Sequence, residues 1–93
     1  MADSYACLAC GFQGLDEPPW DGPSASDEIC PCCGLHFGYD DAVGGRPELR
    51  PTFYHGWRLK WRIDGMRWWS PTPPPEDWDP DRQWESMTRP PFG

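Results

Sequence analysis

The sequence predicts a small α+β protein. Two β-hairpin knuckles share one metal ion, and a helix, an extended Pro/Trp-rich strap and a short C-terminal helix follow. Three observations carry this expectation. The stretches CLACG (7–11) and CPCCG (30–34) repeat a Cys-x-x-Cys-Gly unit. Phe53, Trp57 and Trp61 recur every four residues between Pro51 and Gly65, as one face of a helix requires. Thirteen prolines and ten glycines in 93 residues forbid long regular elements, while seven tryptophans supply bulky apolar surface.

A chain of this length makes one domain, 1–93, whose small core calls for a metal or crosslinks. Residues 1–45 form the metal-binding part and 46–93 a helix and Pro/Trp-rich extension packing on it. No apolar run approaches the roughly 20 residues that span a bilayer. MADSYACLAC has neither a basic nor an apolar signal region, so it does not read as a secretion signal. An odd number of cysteines, five, without such a signal points to a reducing cytoplasm and to metal ligation rather than disulfides.

Charge is segregated. Eight acids and no Lys or Arg lie in 1–45, six bases and two acids in 46–69, and five acids and two bases in 70–93. The net charge is −7. Such a chain repels nucleic acid and attracts basic partners. The basic middle can also simply neutralise the acidic first half.

In both cysteine units a glycine follows the second cysteine. A knuckle must turn its backbone so that two sulfurs converge, and a residue free to take positive φ eases that turn. Cys30 and Cys33 therefore match Cys7 and Cys10, and Cys32 is the extra thiol. The pattern C-x2-C-x19-C-x2-C reads as one four-thiolate zinc site with Cys7, Cys10, Cys30 and Cys33 as ligands. Four protein ligands leave no open position, so the Zn2+ is structural. Cys32 reads as a small packed residue, with a redox role as the alternative. His36 and His55 read as edge side chains, because the sulfur set is complete without them.

The elements follow in order. SYACLACGFQG (4–14) reads as strand, knuckle, strand, with Tyr5 and Phe12 covering the metal. Residues 15–28 form a polar loop carrying Trp20. EICPCCGLHFGY (28–39) repeats the hairpin, with Phe37 matching Phe12, and two such hairpins on one metal make a zinc-ribbon-like unit. Residues 51–64 read as the helix, capped by Thr52 and stopped by Gly65. Its stripe reads as core rather than as a nucleic-acid stacking face. MRWWSPTPPPEDW (66–78) is an extended strap. DPDRQWESM starts a short helix with Asp79 as N-cap, Pro80 at N1 and Trp84 as anchor. TRPPFG is an irregular tail.

No phosphate-binding loop, dinucleotide fingerprint, HExxH or GxSxG occurs, so the chain does not read as an enzyme. Taken together, YACLACGFQGLDEPP, EICPCCGLHFGYDDA, WRIDGMRWWS and PPPEDWDPDRQW resemble the bacterial cysteine-rich CPCC proteins. The resemblance implies a small cytosolic metal-binding ribbon, and such proteins resemble the immunity proteins found beside bacterial toxins. One departure is the basic HGWRLKWR, where more acids would be expected.

The expected function is non-catalytic: a zinc-binding, immunity-type protein that blocks a basic toxin. Asp16, Glu17, Trp20, Asp21, Asp40 and Asp41 would form its contact surface. The alternatives are a nucleic-acid-binding ribbon using Arg58, Lys60, Arg62 and Arg67 in the Trp-rich segment 57–69, or a redox or metal-sensing adaptor centred on Cys32.

Overall fold

Gly11 and Gly34 set the two turns on which the fold is built, with φ of 83° and 79°. The computed structural model describes residues 4–88 of the chain. In the first turn the Gly11 N–H donates to the Cys7 carbonyl at 3.0 Å and the Cys7 N–H to the Phe12 carbonyl at 2.8 Å. The second repeats this, with Gly34 N–H to the Cys30 carbonyl at 2.8 Å and Cys30 N–H to the Leu35 carbonyl at 2.9 Å. Leu35, not Phe37, therefore stands where Phe12 does. Phe37 is fully buried in the core, whereas Phe12 meets Trp68 edge-on at 5.2 Å.

The hairpin arms expected around the knuckles shrink to single bridges, Tyr5 with Leu15 and Ile29 with His36. Competing hydrogen bonds end each arm. The Glu28 carboxylate accepts the backbone N–H groups of Asp16 and Glu17 and draws that arm away. On the other arm, the His36 N–H goes to the Asp40 carboxylate, while Tyr39 and Asp40 turn back onto the His36 carbonyl. Regular pairing lies instead in the loop expected to be irregular. Strands β1 (Trp20–Asp21) and β2 (Ser24–Ala25) run antiparallel around Gly22-Pro23. Gly22 at the first central position, φ 61°, is the arrangement of a primed hairpin turn.

Two 3₁₀ turns, Val43–Gly45 and Pro47–Leu49, lead into helix α1 (Arg50–Ile63). Thr52 is not its cap. The Pro47–Leu49 turn runs straight into the helix, with Leu49 at the N-cap position and no side-chain cap. A proline in the first turn has no N–H that needs capping. The helix stops at Asp64, followed by Gly65 with φ 101°. Tyr54 and Trp61 are buried, with Phe53 and Trp57 partly so beside them. On the far side Ile63 is 82 % exposed.

Helix α2 (Pro80–Thr88) begins as the sequence suggests: the Asp79 carboxylate accepts the N–H groups of Asp81 (3.0 Å) and Arg82 (3.2 Å). Its Met87 lies over Gly11, and Trp69 of the strap lies over Gly34. A Cβ on Gly34 would stand 2.6 Å from Trp69 Cδ1, and one on Gly11 2.5 Å from Met87 Cγ. Trp68 bridges the knuckle and the strap, edge-on to both Phe12 (5.2 Å) and Trp78 (5.1 Å). The result is a small α+β arrangement of one two-stranded antiparallel sheet and two helices among the described residues. From Arg89 onward, the tail expected to be irregular lies outside those residues.

A second centre of packing surrounds Asp41, which is fully buried. It accepts hydrogen bonds from Trp20 Nε1 (2.8 Å), from the Tyr54 hydroxyl and from the Gly38 N–H (2.6 Å). The loop, the exit from the second knuckle and α1 are thereby pinned at one carboxylate. Asp41, expected on a contact surface, is enclosed in this internal network, and Trp20 commits its indole N–H to it while its ring stays half-exposed.

Gly34→Ala meets both a positive φ and the Trp69 ring, so it is expected to cost about 2–4 kcal/mol. Gly44 also has positive φ, but a Cβ there would meet nothing within 4 Å. Gly44→Ala should therefore cost about 1 kcal/mol, the backbone contribution alone. Urea midpoints of the metal-saturated proteins measure both.

Burial, then the hydrogen bond and charge of Asp41, raise the Tyr54 pKa above its ordinary 10.0. A raised folded pKa stabilises fully below the unfolded value and is lost as pH climbs through the folded one. Tyr54→Phe should cost about 1–3 kcal/mol at neutral pH by removing one donor from a buried carboxylate. The gap in unfolding free energy between the two proteins should narrow above pH 10.

Candidate metal centre

The two knuckles face each other and bring Cys7, Cys10, Cys30 and Cys33 together. Their four sulfurs all lie within 4.8 Å of one another. Cys7 Sγ and Cys33 Sγ are 3.8 Å apart, and Cys10 Sγ and Cys30 Sγ 3.7 Å. These spacings are far beyond the ~2.05 Å of a disulfide. They match the edge of a sulfur tetrahedron: metal–sulfur bonds near 2.3 Å give S···S edges of about 3.8 Å. Donor type, number and spacing thus all fit a tetrahedral ion that prefers thiolate, and these four residues would hold it.

Electrostatics make the same demand. Hydrogen bonds from Cys10, Cys30 and Cys33 drive the Cys7 pKa far down, against the effect of burial. Contacts with Cys30, Cys32, Cys33 and Cys7 drive that of Cys10 far up, and burial adds to this. Crowding therefore favours ionisation at Cys7 and opposes it at Cys10. Thiolate on all four sulfurs requires a cation among them.

Turning a knuckle's sulfurs inward leaves its carbonyls pointing outward, and residues 58–83 meet them one by one. Arg58 of α1 donates from Nε to the Ala9 carbonyl (2.7 Å) and from Nη2 to the Leu8 carbonyl (3.2 Å). Gln83 of α2 donates from Nε2 to the Cys10 carbonyl at 2.8 Å. On the second knuckle, the Trp69 N–H reaches the Cys32 carbonyl (3.0 Å) and the Ser70 N–H the Pro31 carbonyl (2.9 Å). None of these partners stands out in the sequence, because each lies some 40 to 70 residues from its acceptor.

Cys32 is fully buried beside the cluster, not in it. Its sulfur lies 3.5 Å from Gln83 Nε2, and Gln83 Oε1 accepts from Trp78 Nε1 at 2.8 Å. Cys33 is the part-exposed member of the cluster; its other three cysteines are buried. His36 stacks on Tyr39 at 5.5 Å, and His55 is exposed.

The other expected site residues are dispersed. Asp16, Glu17 and Asp21 are exposed, and Asp40 is partly buried with its carboxylate on the His36 N–H. Asp41 is enclosed, so it is removed from the contact surface, and the Trp20 indole N–H is committed to it. On the basic side, Arg58 holds the knuckle carbonyls and Lys60 pairs with Asp64 at 2.8 Å. The Arg62 guanidinium lies 4.5 Å over the Trp84 ring, while Arg67 is exposed. No helix among the described residues is long and apolar enough to cross a membrane.

Two proteins of Bacillus subtilis (strain 168) are similar to this chain. The uncharacterized protein YoaQ is 34 % identical over 67 % of this chain, which spans only 60 % of YoaQ's length. The uncharacterized protein YozI is 30 % identical over 83 % of this chain and 72 % of its own length. No family model matches, and no solved structure matches.

Serine at Cys7, Cys10, Cys30 or Cys33 removes a metal ligand and should abolish stoichiometric metal binding and cooperative folding together. Cys32→Ser keeps its Gln83 neighbour and should retain one metal per chain with a stability change of roughly 1–2 kcal/mol. Elemental analysis and near-UV circular dichroism of the five variants measure this. Metal loss from Cys32→Ser equal to the others would overturn the ligand assignment.

Proposed function

This chain belongs to the family of YozI, and we propose that it acts without catalysis, as a zinc-binding interaction protein. Its four-cysteine cluster carries this reading. Thiolate ligation at tetrahedral spacing favours Zn2+, and a set of four protein ligands is a structural centre, closed to substrate. Free thiols at 3.7–3.8 Å fit a reducing, cytoplasmic setting. In this reading residues 1–45 are a zinc-ribbon-like unit and the following helices and strap its cladding, in one domain. The CPCC resemblance supports the same assignment.

The partner is a basic protein, and an immunity-type blockade of a toxin is the role that the acidity fits best. Net charge of −7 steers a basic partner inward at low salt. Of the acids expected at the contact surface, Asp16, Glu17 and Asp21 stay exposed, on the segment between the knuckles. A nucleic-acid role is the weaker reading, because Arg58, Lys60 and Arg62 already have internal partners.

The test is nuclease-treated affinity capture from the producing cells, using the metal-loaded protein and its Asp16→Asn/Glu17→Gln/Asp21→Asn variant. One basic partner in stoichiometric amount, weakened at least about tenfold in affinity by the neutralised variant, is expected. Capture indifferent to these charges, or lost entirely with nuclease, would refute the reading.

A further inference from the structure

Arg50 is anomalous. Its guanidinium lies 3.4 Å above the centre of the Trp20 ring. Its Nε is the one buried side-chain nitrogen or oxygen without a hydrogen-bond partner among the described residues. The ion pairs among those residues are Arg46–Glu48 and Lys60–Asp64, so no carboxylate pairs with Arg50. Nearby Asp41 spends its acceptors on Trp20, Tyr54 and Gly38. Burying part of a guanidinium unpaired is costly.

The space beside it supplies a reason. Arg50, Tyr54 and Arg58 lie at successive turns on one face of α1 and line a cavity of about 480 Å³ with Trp20 and Leu8. The cavity lining contains two arginines and no acid, in a chain of net charge −7. Arg58 uses Nε and one Nη2 proton on the first knuckle and keeps its Nη1 protons. The walls between the arginines are aromatic and aliphatic. Guanidinium is the side chain best shaped for a carboxylate or phosphate, and its stacking on an indole holds the fork in place.

We propose that this cavity binds a small organic oxyanion, a carboxylate or phosphate ester on an apolar or aromatic body, between Arg50 and Arg58. The oxyanion meets the outward Nη groups of Arg50, and the organic body lies against Trp20, Leu8 and Tyr54. None of the four clustered cysteines lines the site, and the inference does not rest on the interaction reading above.

The experiment titrates metal-loaded, ¹⁵N-labelled protein separately with phenyl phosphate and benzoate, following Arg Nε–H and Trp indole signals. Saturable shifts at Arg50 and Trp20 with a dissociation constant at or below about 1 mM are expected for at least one probe. Tighter phenyl phosphate identifies a phosphate ligand, and tighter benzoate a carboxylate. Arg50→Gln and Arg58→Gln should each weaken binding by about tenfold or more. Arg50→Lys, which keeps the charge but not the fork, should lie between. No saturable shift with either probe, or shifts unchanged in Arg50→Gln, would overturn the proposal. So would an Arg50→Gln protein that loses stability while the native protein binds neither probe, because Arg50 would then serve packing alone.

Discussion

Four sulfurs inside 4.8 Å are the constraint on which the rest depends. Ionised, they repel one another; protonated, they are poor packing for a core this small. A bound cation would resolve both difficulties and tie residue 7 to residue 33 without a long hydrophobic core. The cost appears on the outside of the knuckles. Tight turns that aim sulfurs and N–H groups inward leave Leu8, Ala9, Cys10, Pro31 and Cys32 with outward carbonyls. All five are met by the helices and strap. The second half of the chain is therefore a hydrogen-bonded cladding of the cysteine turns. This explains why a cationic helix is tolerable there: Arg58 donates to backbone oxygens that no acid could satisfy.

The parts legible in the sequence are those determined by neighbours in the chain. A Cys-x-x-Cys-Gly turn needs only five residues, so the four sulfurs could be named from spacing. The Asp79-Pro80 start of α2 and the Gly65 stop of α1 are equally local. Their signals come from φ preference and from orphan N–H groups at a helix end.

The parts that were not legible depend on contacts between distant segments. Asp41 stands in an acidic turn and looks solvated by its composition. It is enclosed because Tyr54 and Trp20 bring donors to it from 13 and 21 residues away. One clue existed: a tyrosine on the buried side of an aromatic helix needs an acceptor for its hydroxyl. The same competition misplaced the strands. Glu28 and Asp40 capture backbone N–H groups that a longer ladder would have used. Pairing then survives only where Gly22-Pro23 forms its own turn. Side-chain acceptors within reach of a short arm outcompete a ladder of a few bonds, a balance that alternation of apolar residues does not encode.

The charge pattern acquires a structural meaning from these placements. Among the described residues, acids of the first half divide into those used inward, Glu28, Asp40 and Asp41, and those left outward, Asp16, Glu17, Asp21 and Asp27. Bases of the middle divide likewise, with Arg58, Lys60 and Arg62 committed and Arg50 stacked but unpaired. Neutralisation of the acidic half by the basic middle is therefore indirect. Arg58, Arg62 and Arg50 engage carbonyls and rings, and Arg46 and Lys60 pair with acids of their own segment, while the outward acids of the first half keep their field in solvent. A negative surface field and one partly buried, unpaired guanidinium consequently coexist in one small protein. The first attracts large cationic surfaces at long range. The second stands beside an acid-free pocket of about 480 Å³, open to an anion of small size.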